Sequence, residues 1–167
     1  AVVPADVAAQ MEGEGRAGLA ENAACCVGRL ALLNADFVAN DLPRFITGWC
    51  DGLAKIRDPI ERRDSFRGFL RAVYANPQSI SKQVVGNVLF AIISWHLPID
   101  LPDDATNVFA TDFEFQPFPS SDASELGVAL IKLVHDLKAS VGDEEWHRIQ
   151  GKLPVNVRKL LRDVYRT

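Results

Sequence analysis

Residues 58–77 read DPIERRDSFRGFLRAVYANP, and this stretch decides the fold. A helix start leaves backbone N–H groups without partners. Asp58-Pro59-Ile60-Glu61 supplies an acidic N-cap, a proline at the first helical position and a carboxylate at the third. Downstream, Phe66, Phe69, Leu70, Val73 and Tyr74 fall at i, i+3, i+4, i+7 and i+8, which predicts a one-sided helix over 59–75. Asn76-Pro77 repeats the cap-and-proline signal and predicts that another helix follows.

Working outward, Ile46, Trp49, Cys50, Leu53 and Ile56 keep the same spacing. So do Leu126, Leu130, Leu133, Val134, Leu137 and Val141, and again Val157, Leu160, Leu161, Val164 and Tyr165. Asp122 with Glu125 has capping-box spacing, and Gly142-Asp143 closes one helix and opens the next. The pattern predicts helices at 21–34, 41–56, 59–75, 78–96, 123–140, 143–150 and 155–166, with no comparable stretch alternating like a strand. At an offset of 42, Asn34 to Val38 falls on Asn76 to Ile80 and Leu53 on Trp95. A two-helix unit of about 40–47 residues is the HEAT range. The expected fold is all-α, an α-solenoid of HEAT repeats in which antiparallel helix pairs stack into a superhelix; an irregular helical bundle is the alternative on pattern alone.

On this reading residues 1–20 hold the remnant of a preceding repeat (Val2, Val3, Val7, Met11) and a connecting loop at Glu12-Gly13-Glu14-Gly15-Arg16. Residues 21–96 are helix pairs, 97–122 an insertion and 123–167 carboxyl-terminal capping helices. Ala1 as the first residue and Met11 as the sole methionine suggest a piece of a longer chain. Interior repeats bury both sides, so an apolar face is expected to be exposed at the upstream end, with a tendency to self-associate.

Composition narrows function by exclusion. With 48% hydrophobic and 24% charged positions in 167 residues, most of the chain is expected to fold, and a formal charge of −4 argues against general affinity for nucleic acid or anionic membranes. Cys25, Cys26 and Cys50 form no disulfide framework or zinc spacing, and the most apolar run, Val84 to Trp95, is about half of a membrane span. His96, His135 and His147 make no metal pattern, and Gly13 and Gly15 lack the rest of a phosphate loop, so neither an enzyme nor a cofactor is expected. Arg57, Arg62, Arg63, Arg67 and Arg71 are interleaved with Asp58, Glu61 and Asp64, which suits bridging between helices better than binding nucleic acid. Arg158, Lys159, Arg162 and Arg166, with only Asp163 among them, give the last predicted helix a positive face. That face suits the polar cap of a terminal repeat or a dock for an acidic segment.

Specific strings carry more than periodicity. Glu21 to Leu30 (ENAACCVGRL), Phe45 to Cys50 (FITGWC), Ile56-Arg57-Asp58, Asp64 to Gly68 (DSFRG), Asn76-Pro77, Ser94-Trp95 and Val141 to Trp146 (VGDEEW) resemble, in order, the carboxyl-terminal end of the transportin (karyopherin-β2) group of the importin-β family. The resemblance covers roughly 21–96 and 123–167. It implies a nuclear import receptor that shuttles between cytoplasm and nucleus. Such a receptor binds proline-tyrosine-type nuclear localisation signals of cargo, is unloaded by the GTP form of Ran and meets nucleoporins, the latter two through the full-length protein. It also implies that the helix from Glu21 lies on the concave side, where Glu21, Asn22 and Cys25 form a secondary contact for the upstream hydrophobic or basic part of the signal. A HEAT scaffold or regulatory subunit without transport is the alternative.

The departure from that family is the stretch after Leu97. From Asp100 to Glu125 there are seven acidic residues (Asp100, Asp103, Asp104, Asp112, Glu114, Asp122, Glu125) and no Lys or Arg, so the rest of the chain has 15 acids against 18 bases. Such composition predicts a flexible surface insertion. Phe109, Phe113, Phe115 and Phe118 within it are a candidate acidic-aromatic docking motif.

Overall fold

The computed structural model describes the backbone of residues 5–98, 115 and 123–167, with side chains from Gly18 and, in the second part, from Glu125. Seven α-helices are present among the described residues: α1 (Ala5–Leu33), α2 (Ala35–Leu53), α3 (Pro59–Ala75), α4 (Val85–Ser94), α5 (Ala123–Val141), α6 (Asp143–Lys152) and α7 (Val155–Asp163), with one 3-10 turn at Pro77–Ser79. No strand occurs among the described residues, and the fold class is all-α, of the HEAT-repeat solenoid kind. The chain divides into two units, residues 1–79 and 80–167.

In the first unit a single residue turns the chain. Asn34 leaves helical geometry at φ −148°, and its side-chain oxygen accepts the Phe37 N–H at 3.1 Å, opening α2. The two helices run antiparallel: Trp49 Nε1 donates to the Ala24 carbonyl at 3.2 Å, and Gly52 lies against Ala20 and Ala24. α3 returns parallel to α1. Contacts climb together along the pair, from Arg57 on Glu21, through Gly68 on Gly28, to Arg71 on Leu32. A Cβ on Gly68 would meet the Gly28 carbonyl well inside contact distance, so glycine sets how closely these helices approach. α2 closes the core from behind, with Trp49 and Phe69 edge to face at 5.2 Å and Leu42, Ile46, Leu53, Ile56 and Phe66 fully buried. A hairpin whose first helix lies parallel to the first helix of the next pair is the packing step of a HEAT array.

Several boundaries differ from the sequence-based expectation for local reasons. α2 starts at Ala35 rather than 41 because Asn34 caps it and because Pro43 is carried inside the helix. Proline gives no N–H to the carbonyl four residues back, Ala39, and clashes with it. Asn76 Nδ2 donates to that Ala39 oxygen at 2.9 Å, so the end of α3 satisfies the carbonyl that Pro43 leaves unbonded. Asn76 is the C-cap of α3 rather than the start of a long helix, and after the Pro77–Ser79 turn α4 begins only at Val85. Residues 12–16, expected as a loop, lie within α1: two glycines cost roughly 1 kcal/mol each relative to alanine but do not forbid a helix. The hydrogen bonds that tie α3 and its approach to the two helices before it span 36, 37 and 39 residues, none of them the expected offset of 42.

The Asp58 cap forms as expected, its carboxylate accepting the N–H groups of Ile60 and Glu61 at 2.9 and 2.8 Å. In the second unit α4 is buried along most of its length, and α5, α6 and α7 contribute Leu126, Leu130, Leu133, Val134, Trp146, Val157, Leu160 and Leu161. Gly142 turns α5 into α6 at φ +83°, and three acids, Asp143, Glu144 and Glu145, occupy the first turn of α6, favourable against its dipole. α7 ends at Asp163, and the buried Tyr165 beyond it hydrogen-bonds His96 Nε2 at 2.7 Å. Asp122 of the expected capping box lies outside the described residues, as do Phe109, Phe113 and Phe118; Phe115 is half-buried.

Candidate functional site

The residues expected to touch a signal peptide, Glu21, Asn22 and Cys25, are all on α1, one turn of helix between them. Successive helical residues stand 100° apart, so the three point differently. Glu21 is half-buried and its Oε1 accepts the backbone N–H of Arg57 at 3.1 Å, tying the α2–α3 connection to α1. Cys25 turns into the α1–α3 seam and is 3% exposed; burial first, and then a hydrogen bond to Glu61, push its thiol up to about 12. Asn22 is exposed, and the thiol that faces solvent is Cys26.

On the side of α1 and α3 turned away from α2, the solvent-facing residues are Asn22, Cys26, Arg29 and Leu33 from α1 and Ile60, Arg67, Arg71 and Tyr74 from α3. Arg29 bridges the two helices to Glu61 at 2.8 Å, an exposed pair worth about 0–1 kcal/mol. Arg71 Nη1 donates at 2.5 Å to the Leu32 carbonyl, one of those left open at the end of α1. Both carboxylates that could have met a basic peptide, Glu21 and Glu61, are thus engaged within the protein, and the open face is apolar with a positive margin. The arginine run divides by task. Arg57 caps the Ala54 carbonyl at 3.1 Å, Arg63 pairs with Asp64 at 3.5 Å, and Arg62 is buried, its guanidinium lowered to about 10 by burial and then by Arg57.

A second surface gives residues to the apolar face expected at the upstream end. Leu19, Ala23, Cys26, Leu30 and Leu33 follow one another at spacings of four and three along α1, and Leu19, Leu30 and Leu33 are 70%, 50% and 84% exposed. That heptad-like spacing is the seam of a helix that packs along its length against another helix. Its signal is present in the sequence as a 4-3-4-3 series.

Among the described residues no cluster of His, Cys, Asp and Glu is placed to hold a metal, and no helix is long and apolar enough to cross a membrane. His96 is buried against Tyr165, His135 is exposed, and His147 Nδ1 contacts the Asp143 carbonyl of its own helix at 2.6 Å.

No family model matches the chain. It is 30% identical over 150 residues to transportin-1 of Homo sapiens and to that of Mus musculus, which takes in 88% of this chain and 14% of each relative. Over a shorter stretch of 81 residues it is 38% identical to transportin-1 of Oryza sativa subsp. japonica, 47% of this chain and 9% of the relative.

Proposed function

The chain belongs to the transportin family, and from that premise we propose that it supplies HEAT repeats to a nuclear import receptor, although it spans only 14% of the length of the first relatives it matches. The observation that carries this reading is the similarity over 150 residues, joined to the side-by-side packing of α1 and α3 that a repeat array requires. The parent receptor binds proline-tyrosine-type signals on cargo, carries them between cytoplasm and nucleus, and is unloaded by the GTP form of Ran, which acts through other repeats.

Within that receptor the outward face of α1 and α3 takes the upstream part of the signal. Asn22 and the rim of Glu21 stay at that surface, Cys25 lies beneath it, and Cys26 and Leu33 provide apolar contact. With Arg29, Arg67 and Arg71 exposed and Glu21 and Glu61 engaged, the face suits an apolar stretch better than a run of lysines. The part of the stripe turned away from that face, Leu19, Ala23 and Leu30, is the surface on which a neighbouring repeat of the longer protein packs.

The test is fluorescence anisotropy of the full-length parent with labelled proline-tyrosine signal peptides whose upstream halves are apolar or basic. Binding reversed by GTP-loaded Ran is expected, with Asn22→Lys weakening the peptide with the apolar upstream half by about fivefold, ~1 kcal/mol. Absence of both binding and release leaves the scaffold reading in place of transport, and equal affinity of wild type and variant removes the face from the signal path.

A further inference from the structure

α7 is divided sharply between its two sides. Val157, Leu160 and Leu161 are buried, while Arg158, Lys159 and Arg162 are exposed and, at 100° per residue, fall within roughly a third of the circumference; Arg166, exposed as well, lies beyond the end of the helix at φ 56°. The one carboxylate among them, Asp163, pairs with Arg162 at 2.8 Å. Among the described residues no carboxylate stands within ion-pair distance of Arg158, Lys159 or Arg166. The same unit contains the stretch from Asp100 to Glu125, with seven acids and no base.

The root of that stretch is fixed beside the basic helix. His96 Nε2 lies 2.7 Å from Tyr165 Oη, the two rings meet edge to face at 5.6 Å, and both residues are buried. Tyr165 immediately precedes Arg166 and stands three residues after Arg162; Asp100 comes four residues after His96. Four extended residues reach about 13 Å, so Asp100 is within reach of the end of α7 from His96. A segment tethered at such a root meets its target at an effective concentration in the millimolar range, which a separate acidic partner would have to exceed.

We propose that residues 100–114 of this chain, through Asp100, Asp103 and Asp104 above all, dock on the basic face of α7 formed by Arg158, Lys159 and Arg162, with Arg166 just past its end. Each exposed ion pair is weak alone. Several in register on a tethered segment hold together, and since they are exposed they loosen as salt shortens the screening length. The proposal stands independently of the import reading, because it uses only contacts within the second unit.

Carbodiimide coupling tests it on the full chain by joining the Lys159 amine to any adjacent carboxylate as an amide, with peptide mapping of the monomer fraction. At low salt Lys159 links to Asp100, Asp103 or Asp104, and the yield falls by about tenfold in roughly 0.5 M NaCl. The yield falls similarly in Arg158→Glu/Arg162→Glu/Arg166→Glu, and coupling returns, between the exchanged groups, when Asp100→Lys/Asp103→Lys/Asp104→Lys is added. Should the α7 variant lose its helix content, Arg158→Gln/Arg162→Gln/Arg166→Gln, which leaves Lys159 and all the carboxylates in place, decides the matter instead: the yield of links from Lys159 to Asp100, Asp103 and Asp104 falls severalfold. Equal yields in wild type and charge-reversed protein, links only to Asp163 or to α6, or links confined to a dimer fraction, which would make a second copy the occupant, each overturn the proposal.

Discussion

Two neighbouring cysteines show how finely one helix divides inside from outside. Cys25 is buried in the α1–α3 seam and Cys26 faces solvent, although one peptide bond separates them. Of the three thiols, Cys26 alone is expected to react rapidly with a disulfide reagent at pH 8; Cys50 is buried and raised further than Cys25 by the same desolvation. Counting fast thiols in native and unfolded protein checks this, one against three. The buried thiols also have a pH consequence. With folded values raised above the ordinary 9.0, the folded state holds protons that the unfolded chain has lost, so their contribution to stability is intact below pH 9 and falls as pH rises toward about 12. Denaturant midpoints at pH 8 and 10 should fall in that order, and Cys25→Ser should lessen the drop. The sequence places these residues on a helix but does not choose between them, because the choice depends on which side α3 packs, and α3 meets Cys25 through Glu61, 36 residues later.

Among the elements, α2 is the instructive one. Its periodicity predicts a helix only from 41; the structure begins it after Asn34 and repairs the gap at Ala39 from outside with Asn76. Local signals at the helix starts are readable, Asp58 and Gly142 most clearly, because caps act within three residues. The Pro43–Ala39–Asn76 arrangement is not, since it joins residues 37 apart. Removing the donor leaves a carbonyl without its bond, so Asn76→Ala should cost about 1–3 kcal/mol in urea unfolding. In a Pro43→Ala background, where the helix supplies its own N–H to Ala39, the same change should cost clearly less. Equal costs in both backgrounds would mean that Asn76 acts only as the cap of α3.

At the scale of the whole molecule, charge and apolar surface are unevenly distributed. The stretch from Asp100 to Glu125 holds more negative charge than the chain's net −4, and α1 carries an uncovered apolar stripe in the first unit. The general class of fold is legible because amphipathic periods of 3.6 recur from Ile46 to Tyr165. An exposed face at the upstream end is legible too, but not its residues, since Leu30 and Leu33 look the same in sequence whether they meet a helix of this chain or nothing. An exposed seam of this kind should drive self-association at high micromolar concentration in sedimentation velocity, and Leu19→Lys/Leu30→Lys/Leu33→Lys should sediment as a monomer with unchanged helix content. A wild type that is already monomeric would show that the stripe alone is too weak to bring copies together.

The glycine pair at Gly28 and Gly68 has a further consequence, one of geometry rather than stability. In an array of side-by-side helices the thickness of each seam sets the angle passed to the next repeat, so a seam works like a shim under a lever. Adding a methyl group there would change the local spacing by a fraction of a helix diameter. Along a row of such repeats that small error would be handed from seam to seam, and the displacement would grow with the number of repeats that follow.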